Sequence, residues 1–323
     1  MTEAGGVGSV DVALANWNGR RYLSRCLDAL LAQTVRPASV VVVDNGSTDG
    51  SRELMRQAYP GVILLENDRN LGFAAGYNRA IAAGRQPAVL VLNTDVFLAP
   101  DFVERTLTVL ERHADLGSVT GRIFQEGTGQ WLNGGFFLRP QVRIAHSPNL
   151  EVEEEVFGCT GAVMLCRRAM LDAVRLDDGY FDETYFSYGE DIDLAWRAQL
   201  AGWRARYQPE ARAWHVGSGS LEERLRFIDK PPLFQRHLLK NRYLTLVKNL
   251  SPGLALRLLP GFLLAEPLVW AYLLVRRPLR FPYLLLALRD AAVLLPDALS
   301  KRRRIQAGTR MPIARLNPLV RRW

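Results

Sequence analysis

Two pairs of polar residues in this chain have the types and spacing that chemistry requires. Asn93 and Asp95 end the apolar run VLVLNTD, so their side chains leave an extended backbone on the same side. Oxygen ligands of this kind bind a hard divalent cation, Mg²⁺ or Mn²⁺, which would bridge Asp95 to a diphosphate. Glu190 and Asp191 open a predicted helix, whose N-terminus favours ionised carboxylates, and a carboxylate there can act as general base toward a hydroxyl.

Further polar residues lie around turns nearer the N-terminus. Asp44 and Asn45 begin the segment DNGSTDGS, and an acceptor at this place can take the imide N–H of a uracil or thymine ring. Asn70, Gly72 and Asn78 lie on a loop and the start of a helix, where free backbone N–H groups let a phosphate approach closely. Taken singly, each pattern also fits a turn, a helix cap or a helix packed tightly on a sheet.

The elements that must position these residues follow an alternating pattern. Between Val10 and Asn93, continuous apolar runs alternate with helical periodicity, which indicates a mostly parallel sheet covered by helices on both faces. Ligands bind at the carboxyl ends of the strands in such sheets. Asn16, Asp44 and Asn93 each directly follow a predicted strand, so the sequence predicts an α/β fold with its ligand site at that edge.

Composition narrows the class of protein. The 323 residues are 48% hydrophobic and 23% charged, which is typical of a folded protein. Cys26, Cys159 and Cys166 form no CxxC pair, so neither a zinc ribbon nor a disulfide framework is predicted. The first residues lack a basic segment followed by an apolar one, and a cytoplasmic location is the expectation.

Positive charge is concentrated in the last third of the chain. Residues 216–323 carry 20 Lys or Arg and 6 Asp or Glu, a net charge of +14, whereas residues 1–215 carry 21 and 27, a net charge of −6. Nucleic acid is not a predicted partner, because the basic residues are interleaved with Leu rather than with stacking aromatic residues. An anionic membrane surface is the partner that this pattern favours.

The apolar stretches after residue 252 are interrupted by charges and prolines. A spanning helix needs about 20 apolar residues in a row, and no stretch here reaches that length without a charge or a proline. We therefore predict amphipathic helices lying in the membrane interface, with the basic run Lys301 to Arg304 against anionic lipid. The alternatives are a helical subdomain packed on the N-terminal domain, or a dimer surface.

The motifs in their order resemble a known family. The series WNG, VVVDNGSTDGS, NLGFAAGYN, VLNTD, FGCTGAVMLCRR, FDETYFSYGEDIDLAWR and WHVGSGS resembles family 2 glycosyltransferases of the GT-A fold, and among them the rhamnosyltransferase-like members. The resemblance covers about residues 8–220. It implies an inverting single displacement, in which an acceptor hydroxyl attacks the anomeric carbon opposite the departing nucleoside diphosphate.

The resemblance implies roles for residues at matching positions. Asp44 would hold the base of the nucleotide, Asp95 the metal ion, and His215 would support the metal ion or the diphosphate. Asp191 would be the catalytic base, with Glu190 beside it. Nucleotide-sugar contacts are assigned to Asn16, Asp44, Asn45, Asn70, Gly72, Asn78 and Asn93.

Two features of the sequence depart from, or leave open, the family pattern. The metal motif of the family is commonly Asp-x-Asp, and Asn93 in its first position lowers the local negative charge available to a cation. Asp193 lies close to Asp191, so an exchange of roles among Glu190, Asp191 and Asp193 stays open.

The prediction is thus a GT-A domain over residues 1–220 and a basic amphipathic helical region over residues 221–323. The second region would dock on the cytoplasmic face of the membrane, where a polyprenyl-linked or other cell-surface glycan is the expected acceptor. The donor implied is dTDP-L-rhamnose, and UDP-hexose or UDP-galactofuranose are alternatives, since one Asp does not separate uracil from thymine. Rival classes are a noncatalytic nucleotide-binding membrane scaffold and a nucleotidyltransferase.

Overall fold

The computed structural model describes residues 8–139, 143–146, 151–216 and 231–320. The strands are β1 (Val10–Asn16), β2 (Ser39–Asn45), β3 (Ile63–Asn67), β4 (Ala88–Leu92), β5 (Val96–Leu98), β6 (Leu116–Gln125), β7 (Trp131–Asn133), β8 (Gly135–Leu138), β9 (Ile144–His146), β10 (Glu154–Val156), β11 (Gly158–Cys159), β12 (Val163–Arg167) and β13 (Arg204–His215). The helices are α1 (Arg20–Leu31), α2 (Ser51–Ala58), α3 (Gly72–Ala83), α4 (Phe102–Arg112), α5 (Arg168–Ala173), α6 (Glu190–Leu200), α7 (Pro232–Asn249), α8 (Pro252–Arg276), α9 (Phe281–Val293), α10 (Leu295–Ala307) and α11 (Ile313–Leu316).

The large sheet has the strand order β10-β13-β6-β12-β4-β1-β2-β3, with β5 on β13 and β7 on β6. Strands β3, β2, β1 and β4 are all parallel, as their continuous apolar runs predicted. Strand β12 is antiparallel to both β4 and β6, while β6 and β13 are parallel. The α/β prediction is confirmed, and the antiparallel strands all belong to the half of the sheet formed after residue 95.

One acidic segment is part of the large sheet. The second half of the run Glu151 to Glu155 enters β10 and pairs with β13. Arg204 and Arg206 on β13 carry the opposite charge, and Arg204 lies 3.2 Å from Glu155. Cross-strand pairs of opposite charge stabilise a sheet edge, which explains why this run is ordered.

The C-terminal helices share a core with the α/β domain. Leu254 and Leu258 of α8 are fully buried in the same apolar cluster as Phe136 and Trp196. Leu246 of α7 packs there as well. Of the alternatives for this region, packing on the N-terminal domain is therefore observed. The predicted boundary between residues 220 and 221 lies outside the described residues.

Helix α8 is longer than its sequence suggests. The prolines and charges were expected to divide residues 252–276, yet α8 continues through Pro260 and Pro267, both of which lie on its exposed side. Among the described helices, α8 is the one long and apolar enough to cross a membrane by length and composition, and 17% of its most apolar stretch is buried. Glu266 in its middle is buried and lies 2.6 Å from Arg242 of α7.

The basic run Lys301–Arg304 does not have the surroundings that lipid binding would require. Lys301 is buried, with its ammonium 2.7 Å from Asp178 and 2.8 Å from Asp182. Arg304 is ion-paired with Asp177. The prediction that this run faces anionic lipid is therefore wrong for these two residues, because the acidic segment before α6 attracts the same charges.

Candidate active site

A cavity of about 410 Å³ opens at the carboxyl ends of β1, β2 and β4. This volume falls within the size range of small-molecule sites, roughly 300–1,000 Å³. Loop residues before α6 and the first turns of α7 complete its wall. The predicted site residues that line it are Asn16, Asn45, Asn70, Gly72, Asn93 and Asp95.

Asp44 lies immediately behind this wall and is fully buried. Its carboxylate accepts hydrogen bonds from Arg52 Nε at 2.7 Å, from the Ser47 backbone N–H at 2.9 Å and from Asn16 Nδ2 at 2.9 Å. Burial raises the pKa of Asp44, but these hydrogen bonds outweigh it and hold the pKa below its ordinary value. The Ser47 hydroxyl is a further hydrogen-bond partner of this carboxylate, so its roughly four acceptor positions are taken by groups of the fold.

Asn16 connects Asp44 to the cavity. Its Nδ2 is held by Asp44, while its Oδ1 is buried and has no hydrogen-bond partner among the residues that the structure describes. A buried acceptor without a partner is costly, and a ligand that donates a hydrogen bond would remove that cost. The Asn16–Asp44 pair therefore offers Asn16 Oδ1 as an acceptor to an N–H group that enters the cavity beside β1.

The start of α3 is closed more tightly than the sequence suggested. The Gly72 backbone N–H donates to Asn70 Oδ1 at 2.8 Å, and that of Ala74 donates to the Phe186 carbonyl at 3.3 Å. Gly72 has φ +87°, and a Cβ there would lie 2.4 Å from the Phe186 carbonyl oxygen. Two of the N–H groups expected to receive phosphate are thus already bonded, and glycine is required here by a loop contact.

Asn78 is not brought into the cavity. Its side chain donates to the Phe181 carbonyl at 2.9 Å and to Glu183 at 3.0 Å, and its Oδ1 accepts from the Phe181 backbone N–H at 2.8 Å. These contacts join α3 to the segment that precedes α6. The structure therefore does not place Asn78 at the predicted nucleotide-sugar contact, because all of these side-chain contacts are to other residues of the fold.

Asn45 and Asn93 are both oriented by neighbouring side chains. Asn45 donates to the Gly72 carbonyl at 3.0 Å and accepts from Asn67 at 2.7 Å. Asn93 Oδ1 accepts from the hydroxyl of Tyr77 at 3.0 Å. The sequence did not single out Tyr77, whose helix position looks like an ordinary core residue.

Asp95 and His215 meet although 119 residues separate the two in sequence. The pairing of β5 with β13 brings their backbones together, and His215 Nε2 lies 3.2 Å from Asp95 Oδ2, with both side chains buried. Two ligands of one octahedral ion at about 2.1 Å from it would be roughly 3 Å apart. The pair therefore has the separation expected of two neighbouring ligands of one divalent cation.

Asp191 stands in the first turn of α6 with its carboxylate oriented by the backbone. The Gly161 N–H donates to its Oδ2 at 2.9 Å, and the Ile192 N–H donates to its Oδ1 at 2.8 Å. A Cβ on Gly161 would lie 3.4 Å from Asp191 Oδ2 and 3.5 Å from the Phe73 ring, and Phe73 lines the cavity. The carboxylate thus lies near Phe73 of the cavity wall, and the helix N-terminus favours its ionised form.

The two carboxylates around Asp191 have different surroundings. Burial raises the pKa of Glu190 well above its ordinary value, and the charges of Asp191 and Asp193 add to this effect. Asp193 is fully buried and ion-paired with Arg197 at 2.9 Å and Lys248 at 2.9 Å. Asp191 differs from both, because its carboxylate lies near Phe73 of the cavity wall and is oriented by two backbone N–H groups.

The wall formed by α7 is the part of the site that the sequence did not reveal. Phe234 stacks near Tyr188, and His237 stacks on Phe186 with ring centroids 5.5 Å apart. Burial and neighbouring cations lower the pKa of His237 to about 4. Asn241 Nδ2 donates to the carbonyls of Tyr185, Ser187 and Tyr188.

These α7 contacts hold a strained loop. Phe186 and Tyr188 adopt positive φ values of 64° and 75°, which residues with a Cβ rarely do. The aromatic segment FDETYFSYG was visible in the sequence, but its backbone conformation and its contacts with α7 were not.

Comparisons with known proteins agree with this geometry. Residues 11–175 match the family model described as glycosyl transferase family 2. The chain is 33% identical over 224 residues to N-acetylglucosaminyl-diphospho-decaprenol L-rhamnosyltransferase of Mycobacterium tuberculosis, a match that covers 60% of this chain and 71% of the relative. It is 24% identical over 221 residues to glycosyltransferase GlyA of Streptococcus pneumoniae, covering 64% of this chain and 32% of that protein.

Solved structures share the fold at low sequence identity. The crystal structure of S. aureus TarS 1-349 gives a TM-score of 0.58 at 16% identity, covering 93% of this chain and 90% of that one. The mannosyltransferase PcManGT from Pyrobaculum calidifontis, in complex with GDP-Man and Mn²⁺, gives 0.53 at 19% identity, covering 93% and 85%. Since the family model spans more than half of the chain, and the M. tuberculosis relative is matched over most of its length, the chain belongs to glycosyl transferase family 2 and has the predicted GT-A fold.

Proposed function

We propose that this glycosyltransferase moves L-rhamnose, with inversion, from dTDP-L-rhamnose to a hydroxyl of a polyprenyl-diphosphate-linked glycan. The observation that carries the catalytic part is the position of Asp191 near Phe73 of the cavity wall, where two backbone N–H groups orient its carboxylate. The sugar and the acceptor are suggested by the name of the M. tuberculosis relative.

In the proposed reaction, Asp191 takes the proton of the acceptor hydroxyl as its oxygen attacks the anomeric carbon. The bond from that carbon to the diphosphate oxygen breaks, and the nucleoside diphosphate leaves with the electron pair. Attack from the opposite side inverts the configuration. Burial and the charges of Asp191 and Asp193 raise the pKa of Glu190, which disfavours a second negative charge beside Asp191.

The donor would occupy the cavity with its base near Asn16 and Asp44. Asn16 Oδ1 can receive the imide N–H of thymine or uracil, while Asp44 holds the Asn16 side chain in place. Asn45, Asn70, Gly72 and Asn93 line the rest of the donor site. UDP-hexose and UDP-galactofuranose stay as alternative donors, because both pyrimidine rings present the same N–H.

Asp95 and His215 are the residues that would hold a Mg²⁺ or Mn²⁺ ion. Among the residues that the structure describes, no third His, Cys, Asp or Glu joins them. A cation with few protein ligands usually completes its coordination with substrate phosphates and water, which suits a diphosphate donor. Such an ion would offset the charge that develops on the leaving diphosphate.

Nucleotide binding should depend on both the base and the metal ion. We expect dTDP or UDP with Mn²⁺ to raise the melting temperature of the protein, and GDP or ADP to do so much less. A ligand at about 100 times its Kd stabilises the folded state by about 2.7 kcal/mol. In Asp95→Ala the Mn²⁺-dependent part of this shift should disappear.

Asp68→Ala, which removes an exposed carboxylate outside the cavity lining, should respond like the wild type. A Mn²⁺-dependent shift that is unchanged in Asp95→Ala would show that the metal ion binds elsewhere. Stabilisation by UDP alone would select the alternative donors.

The exposed face of the C-terminal helices supports a peripheral location on the cytoplasmic face of the membrane. Apolar side chains cover this face, including Leu256 at 82%, Leu264 at 74% and Val275 at 77% exposure. An apolar surface of this kind is typical of a membrane or protein contact. Arg257, Arg276, Arg277 and Arg289 lie exposed among them and would meet anionic headgroups.

Liposome sedimentation tests this location. Leu264→Glu combined with Leu268→Glu should lower the fraction that pellets with phosphatidylglycerol vesicles at low salt several-fold, because both the apolar contact and the charge attraction are reduced. Leu31→Glu, a matched change at an exposed leucine on α1, should pellet like the wild type. Equal pelleting of all three proteins would place the membrane contact on another surface.

A further inference from the structure

A second cavity, of about 360 Å³, lies next to the same catalytic segment. Gly189 and Ile192, which flank Glu190 and Asp191, line it, whereas Ser187 and Tyr188 line the donor cavity. The segment 187–192 therefore borders both cavities. We call the second one the apolar cavity.

The apolar cavity is walled mainly by aliphatic side chains from four elements. Ile144 of β9, Ile192 of α6, Leu238 of α7 and Val269 of α8 line it. Ile144 is 41% exposed, so apolar surface faces an opening rather than a packed interior. Apolar surface left open to water is unfavourable, and an apolar ligand would cover it.

The same cavity carries positive charge at two arginines. Arg143 and Arg242 both line it, and the charge of Arg242 is close enough to help lower the pKa of Arg143, after the larger effect of burial. Arg242 is ion-paired with Glu266, whereas Arg143 has no ion-pair partner in the described part of the chain. The three side chains together carry one net positive charge.

We propose that the apolar cavity binds the polyprenyl diphosphate part of the acceptor, with the first isoprene units against the aliphatic wall and the diphosphate at Arg143. This inference rests on the proposed function and names the acceptor subsite. The charge of the arginines matches an anionic diphosphate, and guanidinium groups bind phosphate oxygens in pairs. The attached sugar would then reach Asp191 from one side while the donor approaches from the other cavity.

The position of α8 explains how a long chain could enter. Val269 lines the apolar cavity, and Leu268 and Tyr272 on the same helix are 65% and 43% exposed. The remainder of the isoprenoid would continue along this exposed apolar face into the bilayer. The cavity holds only the beginning of the chain, which is the part shared by acceptors of different length.

Binding of geranylgeranyl diphosphate to the full chain tests the proposal. It is measured by calorimetry with excess dTDP and Mn²⁺, so that the donor cavity is occupied. Arg143→Gln should weaken binding about tenfold, the size expected for losing one charge-assisted hydrogen bond, and Ile144→Glu should weaken it by about as much, because it replaces apolar contact with a negative charge near the diphosphate. Arg85→Gln and Leu31→Glu, matched changes at exposed residues elsewhere, should bind like the wild type.

Two ligands that each carry one half of geranylgeranyl diphosphate, and one phospholipid, serve as comparisons. Geranylgeraniol and inorganic diphosphate should each bind at least about tenfold more weakly than the combined molecule, because each lacks one half of the contacts. Equal affinity in Arg143→Gln, Ile144→Glu and wild type would overturn the proposal. The proposal would also be overturned if dioctanoyl phosphatidylglycerol bound as tightly as geranylgeranyl diphosphate and were weakened equally by Arg143→Gln and Ile144→Glu. The site would then be one for an acyl lipid.

The nucleotide is titrated separately into every variant. All variants should keep the wild-type affinity for dTDP with Mn²⁺, because neither Arg143 nor Ile144 lines the donor cavity. If the wild type does not bind dTDP with Mn²⁺, the proposed function is contradicted. If it binds dTDP normally but the variants bind geranylgeranyl diphosphate as tightly as the wild type does, only the acceptor subsite is contradicted.

Discussion

Asp191→Asn should lower kcat for sugar transfer by about 10²–10⁴-fold while donor affinity stays close to that of the wild type. General-base catalysis contributes an effect of this size, and asparagine cannot take a proton from the acceptor hydroxyl. The amide is nearly the same shape and α6 should persist, although its single oxygen can accept only one of the two backbone N–H groups of Gly161 and Ile192. Initial rates at saturating donor and acceptor, together with calorimetry of the nucleotide, separate the two quantities.

Glu190→Gln is the informative control for this experiment. Its pKa is raised by burial and by its acidic neighbours, which disfavours the charged carboxylate, so an uncharged glutamine of the same shape should preserve much of the activity. Asp172→Asn, on an exposed residue of α5, should be silent. Near-normal turnover of Asp191→Asn with an inactive Glu190→Gln would reverse the two roles.

Lys248→Met should lower the free energy of unfolding by about 3–5 kcal/mol. Lys248 is fully buried and ion-paired with both Asp182 and Asp193, so its removal takes from each buried carboxylate one of its two cationic partners and leaves Lys301 and Arg197. Breaking a buried pair from one side typically has this cost. Urea unfolding measures the change, and Arg304→Met, which breaks the exposed pair with Asp177, should cost at most about 1 kcal/mol.

The loss of stability in Lys248→Met should depend on pH. Burial raises the pKa of Asp182, but Lys248 and Lys301 outweigh it and hold the pKa below its ordinary value, and the pKa of Asp193 is lowered in the same way by Lys248 and Arg197. A lowered folded-state pKa stabilises the protein above the unfolded value of about 3.9, and this contribution is lost as the pH falls.

The stability difference between wild type and Lys248→Met should therefore be largest near neutral pH and shrink below about pH 4. A difference that stays constant through this range would show that lost packing, rather than lost charge pairing, causes the effect.

The part of the chain before residue 95 was predictable because its information is local. Each buried strand is a continuous apolar run, and Asn16, Asp44 and Asn93 follow those runs directly, so the parallel strands and the ligand edge could be derived from periodicity. The sequence also placed Asp191 at a helix start, which the structure shows.

The features that could not be predicted depend on contacts between segments that are distant in sequence. The contact between Asp95 and His215 requires β5 to pair with β13, and neither segment alone predicts that pairing. Lys301 looked like part of a basic surface because its partners, Asp178 and Asp182, lie more than 100 residues away. Asn78 looked like a ligand contact because the loop that it holds is equally remote in sequence.

Transfer from dTDP-L-rhamnose to an N-acetylglucosaminyl-diphospho-polyprenol is the most direct measurement of the central claim. The purified chain with Mn²⁺ should give a product whose new glycosidic bond has the anomeric configuration opposite to that of the donor, as read by NMR. Retention of configuration would contradict the single-displacement mechanism with Asp191 as base. Absence of transfer from dTDP-rhamnose, UDP-hexoses and UDP-galactofuranose, with nucleotide binding intact, would contradict catalysis itself and leave a nucleotide-binding scaffold.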